Sequence, residues 1–303
     1  MMVMNETMTI AAQSTLGPEI PFDLALALIR RLLAEHPEWC RSKLSLELCR
    51  HWDWKRPGGQ WRDMTCRDLL LKLERAGHLV LPPRRRGSPN AMRNRTHVSV
   101  PHDTEPIQER LDALTPLLIA PAAVRTADAQ LFNTLVSRYH YLGLRNTVGA
   151  NLKYLIRDRH GRPLACMLFG SAAWKTAARD TFIGWDERAR RRHLPLLTNN
   201  TRFIILPWVR VDHLASHVLA RVLRRLGADW LAKYGYRPLL VETFVDRARF
   251  RGTCYRAANW LHLGATTGRS RQDRDHTLQV GVKDLFVYPL QSHFREVLCH
   301  DDT

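Results

Sequence analysis

The chain has 303 residues, with 46 lysines and arginines against 29 aspartates and glutamates, a formal net charge of +17. No run of about 18 apolar residues occurs, which argues against a membrane-spanning helix. Cys40, Cys49, Cys66, Cys166, Cys254 and Cys299 are scattered without a C-x-x-C pair, which argues against a disulfide framework or a zinc ribbon and places the chain most simply in a reducing cytoplasm.

The charge asks for a polyanionic partner, most simply nucleic acid, with DNA in double- or single-stranded form as the expected ligand. Residues 1–20 lack basic residues before a weak apolar patch and read as a disordered lead-in rather than a secretory signal. Residues 21–87 read as a small helical domain. "PFDLALALIRRLLAEH" spaces Leu24, Leu28, Leu32 and Leu26, Ile29, Leu33 as a helix does. "SKLSLELCRHW" gives a second helix with Ser42 as its expected cap. "KRPGGQ" is a turn. "CRDLLLKLERAG" is a third helix, capped by Asp63 or Thr65, and "HLVLPP" a short strand. Three helices, a strand and a basic loop, with Arg84, Arg85, Arg86, Arg93 and Arg95, form the order of a winged-helix-like DNA-binding module. The third helix, with Arg67, would enter the major groove.

Residues 88–125 read as a linker, from their recurrent prolines and polar stretches. Residues 126–295 form the larger domain. A helix over "ADAQLFNTLVSRYHYLG" precedes a hairpin whose turn is Asp158-Arg159-His160-Gly161. "ARDTFIGW" reads as extended, "DERARRRHLPLLTNN" as a basic helix-like segment, and "TRFIILPWVRV" as a strand buried on both faces. The longest helix follows, with Leu214, Val218, Val222, Leu226 and Trp230 recurring every four residues. "RPLLVETFVD" is a strand, "YRAANWLHLG" a helix and "GVKDLFVYPL" a last strand. The fold class is mixed α/β, with parallel neighbours joined by the long helix.

Four stretches, "SAAWKTAARDTFIGW", "NNTRFIILPWVRVDHLASHVL", "VETFVDRARFRGTCYRAANWLHLGATTGRSRQDR" and "KDLFVYPL", resemble the Druantia anti-phage system protein DruA family. The resemblance implies a bacterial defence or mobile-element setting, with other proteins of such a system as further partners; relatives of this type are also transposase-associated. The larger domain is similar at fold level to GNAT acyltransferases. Two departures oppose acyl chemistry and coenzyme A binding: Asp212 stands where a glycine-rich pyrophosphate turn would open the long helix, and Trp260 where a tyrosine would act as general acid.

The densest chemistry lies in residues 241–260. Strand alternation puts Glu242, Phe244 and Asp246 on one face. A carboxylate among apolar neighbours needs an arginine or a metal. As an ion pair its partner would be Arg202; as a metal site Glu242 and Asp246, with Asp180 as third ligand, would hold Mg²⁺ or Mn²⁺ for phosphodiester chemistry. Cys254 and Tyr255 are the candidate nucleophiles, the thiol activated by its helix start and nearby arginines. Arg202, Arg247, Arg251, Arg256, Arg269 and Arg271 would form a basic rim, with Trp174, Trp185, Trp208 and Trp260 available to stack bases. Two readings therefore stand: a DNA-recognition component without chemistry of its own, and a DNA cleaving or joining enzyme. Acyl transfer is the third.

Overall fold

The computed structural model describes residues 20–83, 99–144, 147, 149–267 and 281–300. It divides the chain into two compact units, residues 1–91 and 92–303. No helix among the described residues is long and apolar enough to cross a membrane.

The first unit holds helices α1 (Phe22–Glu35), α2 (Arg41–His51) and α3 (Asp63–Arg75). Their facing stripes form one core: Ala25, Ile29 and Leu32 of α1, Leu44 and Leu48 of α2, and Leu69, Leu70 and Leu73 of α3. Leu24 of α1 points outward instead. The side-chain caps expected from Ser42, Asp63 and Thr65 are not formed: Cys40 and Arg62 precede α2 and α3, and neither side chain caps. "HLVLPP" forms no strand: His78 is a bend and residues 79–83 are irregular. Its Leu79 and Leu81 are buried, and side chains do the pairing that a sheet would do. Glu74 Oε1 accepts the Leu81 amide at 3.0 Å, and Arg41 Nε donates to the Pro82 carbonyl at 2.7 Å.

The second unit is a seven-stranded mixed sheet. Part of the proline-rich stretch belongs to it: after the short helix α4 (Leu111–Leu114), strand β1 (Leu118–Pro121) pairs antiparallel with β2 (Leu152–Arg157). Ile107 bridges to Val209 and is buried with Leu114 in the main core. The proline at 121 is tolerated because β1 is an edge strand. Helix α5 (Ala127–Tyr139) starts at Thr126, whose side chain accepts the Ala129 amide. Strand β2 turns back into β3 (Pro163–Ser171) as the sequence indicated.

The segment read as extended is a helix, α6 (Ala177–Ile183), stopped by Gly184 in the left-handed region. Helix α7 (Glu187–His193) follows, capped by Asp186. Strand β4 (Leu197–Ile205), helix α8 (Leu214–Tyr234) and strand β5 (Leu240–Asp246) form the crossover unit, with β4 and β5 parallel. All five residues of the four-spaced stripe on α8 are buried. A short helix α9 (Thr253–Ala257) leads to β6 (Leu261–Ala265), which replaces the rest of the expected helix. β6 pairs with β7 (Lys283–Pro289), and α10 (Phe294–Cys299) closes the described chain. The sheet order is β1-β2-β3-β4-β5-β7-β6.

The sheet separates two cores. Val241 and Val245 of β5 join the core that contains α8. Leu240, on the opposite face, packs with Ile183, Trp185, Phe294 and Leu298. Glu242 shares that second face, which decides its surroundings.

Candidate functional site

Glu242 is fully buried, and its charge is met by Arg179 of α6, itself without solvent exposure. Arg179 donates to Glu242 Oε2 at 2.8 Å, and the Ala173 amide donates to Oε1 at 2.6 Å. The rest of the guanidinium is also used. It donates to the Ala173 carbonyl at 2.7 Å and to Asp180 Oδ1 at 2.9 and 2.7 Å. Trp185 Nε1 donates to the same Asp180 oxygen at 3.1 Å, and Arg190 approaches Asp180 Oδ2 at 3.6 Å. Two carboxylates thus meet two guanidiniums in a neutral interior cluster. Burial pushes the Glu242 carboxyl above its ordinary range, with Arg179 opposing the shift.

This arrangement corrects the expected partner. Arg202 does not reach Glu242; it donates to the carbonyls of Gly143 at 2.8 Å and Thr201 at 2.6 Å. It also bears on the metal expectation. Glu242 and Asp180 converge, but on Arg179 rather than on an open position. Asp246, four residues along β5, is tied into the turn that follows. Among the described residues no three His, Cys, Asp or Glu side chains group closely enough to hold an ion. The donors present do not fit Mg²⁺ or Mn²⁺, because the Arg179 guanidinium stands where a cation between Glu242 and Asp180 would have to sit.

The turn after β5 is built by Asp246. Its carbonyl accepts the amides of Arg249 and Phe250 at 3.1 and 2.8 Å, and its Oδ1 accepts the Ala248 amide at 3.0 Å. Gly252 sits at φ +68°, and a β-carbon there would lie 2.7 Å from the Phe286 ring. Glycine is therefore required on both conformational and steric grounds.

Tyr255 and Cys254 point away from nucleophilic chemistry. Pairing between β4 and β5 ends at Asn199 and Glu242, and beyond it Asn200 receives Tyr255. The Tyr255 hydroxyl donates to Asn200 Oδ1 at 2.9 Å, and Thr243 Oγ1 donates to the Asn200 carbonyl at 3.0 Å. Burial raises the phenol well above its usual range. The Cys254 thiol is also raised by burial, opposite to the activation expected from its helix start.

The expected basic residues divide three ways. Arg84, Arg85, Arg86, Arg93, Arg95, Arg269 and Arg271 lie outside the described residues. Arg67 pairs with Asp63 at 2.6 Å, and Arg247 with Asp284 at 2.7 Å. Arg251 and Arg256 face solvent, Arg256 over the Phe286 ring at 5.2 Å. Of the tryptophans, Trp185 and Trp260 are buried and serve packing, while Trp174 and Trp208 are half-buried. The residues that sequence reasoning missed are Arg179, whose burial nothing local signals, and the exposed Tyr141 and Phe250.

Residues 72–280 match the family described as Druantia protein DruA. The chain belongs to that family. Of the defence or mobile-element settings that the resemblance implied, membership of the DruA family points to anti-phage defence. Comparison with curated protein sequences gave no significant match. Among solved structures, the chain is similar to spermidine N-acetyltransferase SpeG from Vibrio cholerae in complex with CoA and spermine: 9% identity, TM-score 0.38, covering 59% of this chain and 97% of that one. The spermidine/spermine N-acetyltransferase SpeG of the same organism, in complex with manganese ions, gives 7% identity and TM-score 0.38, over 59% and 96% of the two chains. A likeness at this level carries no argument about this DruA member's reaction.

Proposed function

We propose that this protein is a nucleic-acid-binding component of an anti-phage defence system, acting by recognition rather than by cutting. One observation carries the reading: of the carboxylates that phosphodiester chemistry would need, Glu242 and Asp180 are taken by the interior Arg179 and Asp246 by the turn after β5, while arginines in that segment face solvent. That segment, residues 247–256, contains Arg247, Arg249, Arg251 and Arg256 and no acid. With a chain charge of +17, phosphate is the complementary ligand.

The three-helix unit is the proposed duplex-binding module, of winged-helix type. Its α3 carries three acids (Asp63, Asp68, Glu74) and three bases (Arg67, Lys72, Arg75), so it supplies no excess charge of its own. Base-edge contacts from α3 would then rely on neighbouring arginines for backbone affinity.

Titration of labelled single- and double-stranded DNA across a salt series, run beside a nicking assay with Mg²⁺ or Mn²⁺, tests the reading. The expected outcome is binding that weakens steeply with salt and no cleavage or covalent adduct. Cleavage abolished by Glu242→Gln or Tyr255→Phe in folded protein would replace it with the enzymatic reading.

A further inference from the structure

Three of the exposed large apolar side chains, Tyr141, Leu142 and Phe250, come from two separate loops. Tyr141 lies just after α5 and is 39% exposed; Phe250 lies just after β5 and is 52% exposed. The structure brings the two rings to 5.6 Å between centroids, tilted by 56°. The Arg249 guanidinium lies over the Tyr141 ring at 5.0 Å. The His140 ring stacks on Tyr141 at 4.8 Å. Arg251 faces solvent beside Phe250.

Both loops are braced. Arg202 holds the Gly143 carbonyl, the Gly143 amide donates to the His140 carbonyl at 2.7 Å, and the Leu142 amide donates to His140 Nδ1 at 3.1 Å. On the other side Asp246 fixes the turn that carries Arg249 and Phe250. Asp246, whose carbonyl and Oδ1 hold that turn, lies 3.8 Å from Arg249. Exposed rings on fixed loops cost little further entropy on binding a flat partner.

We infer that Tyr141, Phe250 and Arg249 form a stacking platform for unpaired bases, with Arg251 meeting the phosphate between them. Every base has a π-face, every nucleotide carries a phosphate, and alternating aromatic and cationic groups match both. The neighbouring cations select a polyanion over an apolar protein segment. The inference rests on the nucleic-acid-binding reading and sharpens it toward single strands, of DNA or RNA.

The test compares a short labelled DNA strand, the same strand in RNA, its duplex, and an abasic strand that keeps the phosphates, by fluorescence anisotropy on the full chain. Tyr141→Ala/Phe250→Ala should weaken binding of the base-bearing strands by about tenfold or more. Binding of the duplex and the abasic strand should change little, and Tyr141→Phe should retain affinity. The DNA and RNA arms show which strand is preferred. Photocrosslinking of the unaltered protein to a strand carrying 5-iodouracil should label Tyr141 or Phe250. If the unaltered protein binds no polynucleotide, the nucleic-acid reading itself fails, and the platform with it. If it binds but the double variant is unimpaired, or loses all four ligands equally, or the crosslink maps elsewhere, the platform alone is overturned.

Discussion

Glu242 and Asp246 stand four residues apart on one face of the same strand, yet they have opposite fates. Glu242 lies where β5 is still paired with β4 and covered by α6, so its charge is answered inside the protein by Arg179. Asp246 lies where the strand ends, so its oxygens organise a surface turn and the arginines beside it reach solvent. The first end of the strand is built for integrity, and the second carries the surface proposed for contact. Two carboxylates spaced like metal ligands therefore belong to two different tasks.

The comparison breaks most sharply at Arg179. Arg179→Ala leaves Glu242 buried without its cation, and unfolding in denaturant should show a loss of about 3–5 kcal/mol. Replacing the pair together by Glu242→Gln and Arg179→Met should recover part of that loss. A loss below about 1 kcal/mol would mean that the interior cluster is not structural.

Gly252→Ala comes next. It imposes a β-carbon against Phe286 and a disfavoured φ, and should cost about 1–3 kcal/mol in thermal or denaturant unfolding. Because the turn carries Arg251 and Phe250, polynucleotide affinity should fall in the same variant.

His140 gives a pH test of the surface end. Burial and the nearby Arg202 lower its pKa from 6.5 to about 4. Between those pH values the unfolded chain holds a proton that the folded chain does not. Stability should therefore fall as pH is lowered through that window and be regained above it. Protonation of Nδ1 also removes the acceptor for the Leu142 amide. Melting temperatures recorded against pH should flatten in His140→Gln. The smallest effect belongs to Asp246→Asn, which should change stability by within about 0.5 kcal/mol while tightening polynucleotide binding by removal of a negative charge.

Legibility followed how local each determinant is. Helix α8 could be read because Leu214, Val218, Val222, Leu226 and Trp230 all serve one buried stripe. Helix α6 could not: Thr181, Phe182 and Ile183 favour extended structure, and only Arg179 and Ile183 anchor it by burial. Strand β6 was hidden by the helical spacing of Trp260 and Leu263, because its state is set by pairing with β7 across a long sequence separation. At the candidate site, alternation correctly placed Glu242 on a face where it needs a cation. Choosing Arg179 over Arg202 needed the fold, because each is a plausible partner by chemistry and only distance separates them. The Tyr141–Phe250 contact joins residues more than a hundred positions apart, and exposure has no periodic signature.

Strand β1 has a practical consequence for anyone dissecting the chain. Starting the larger unit at residue 126 would delete Ile107, Leu114 and the whole of β1. The outer side of β2 would then present bare amides and carbonyls between Tyr154 and Arg157, a template on which neighbouring copies could zip together. A shortened protein of that kind should precipitate for reasons unrelated to its biological role.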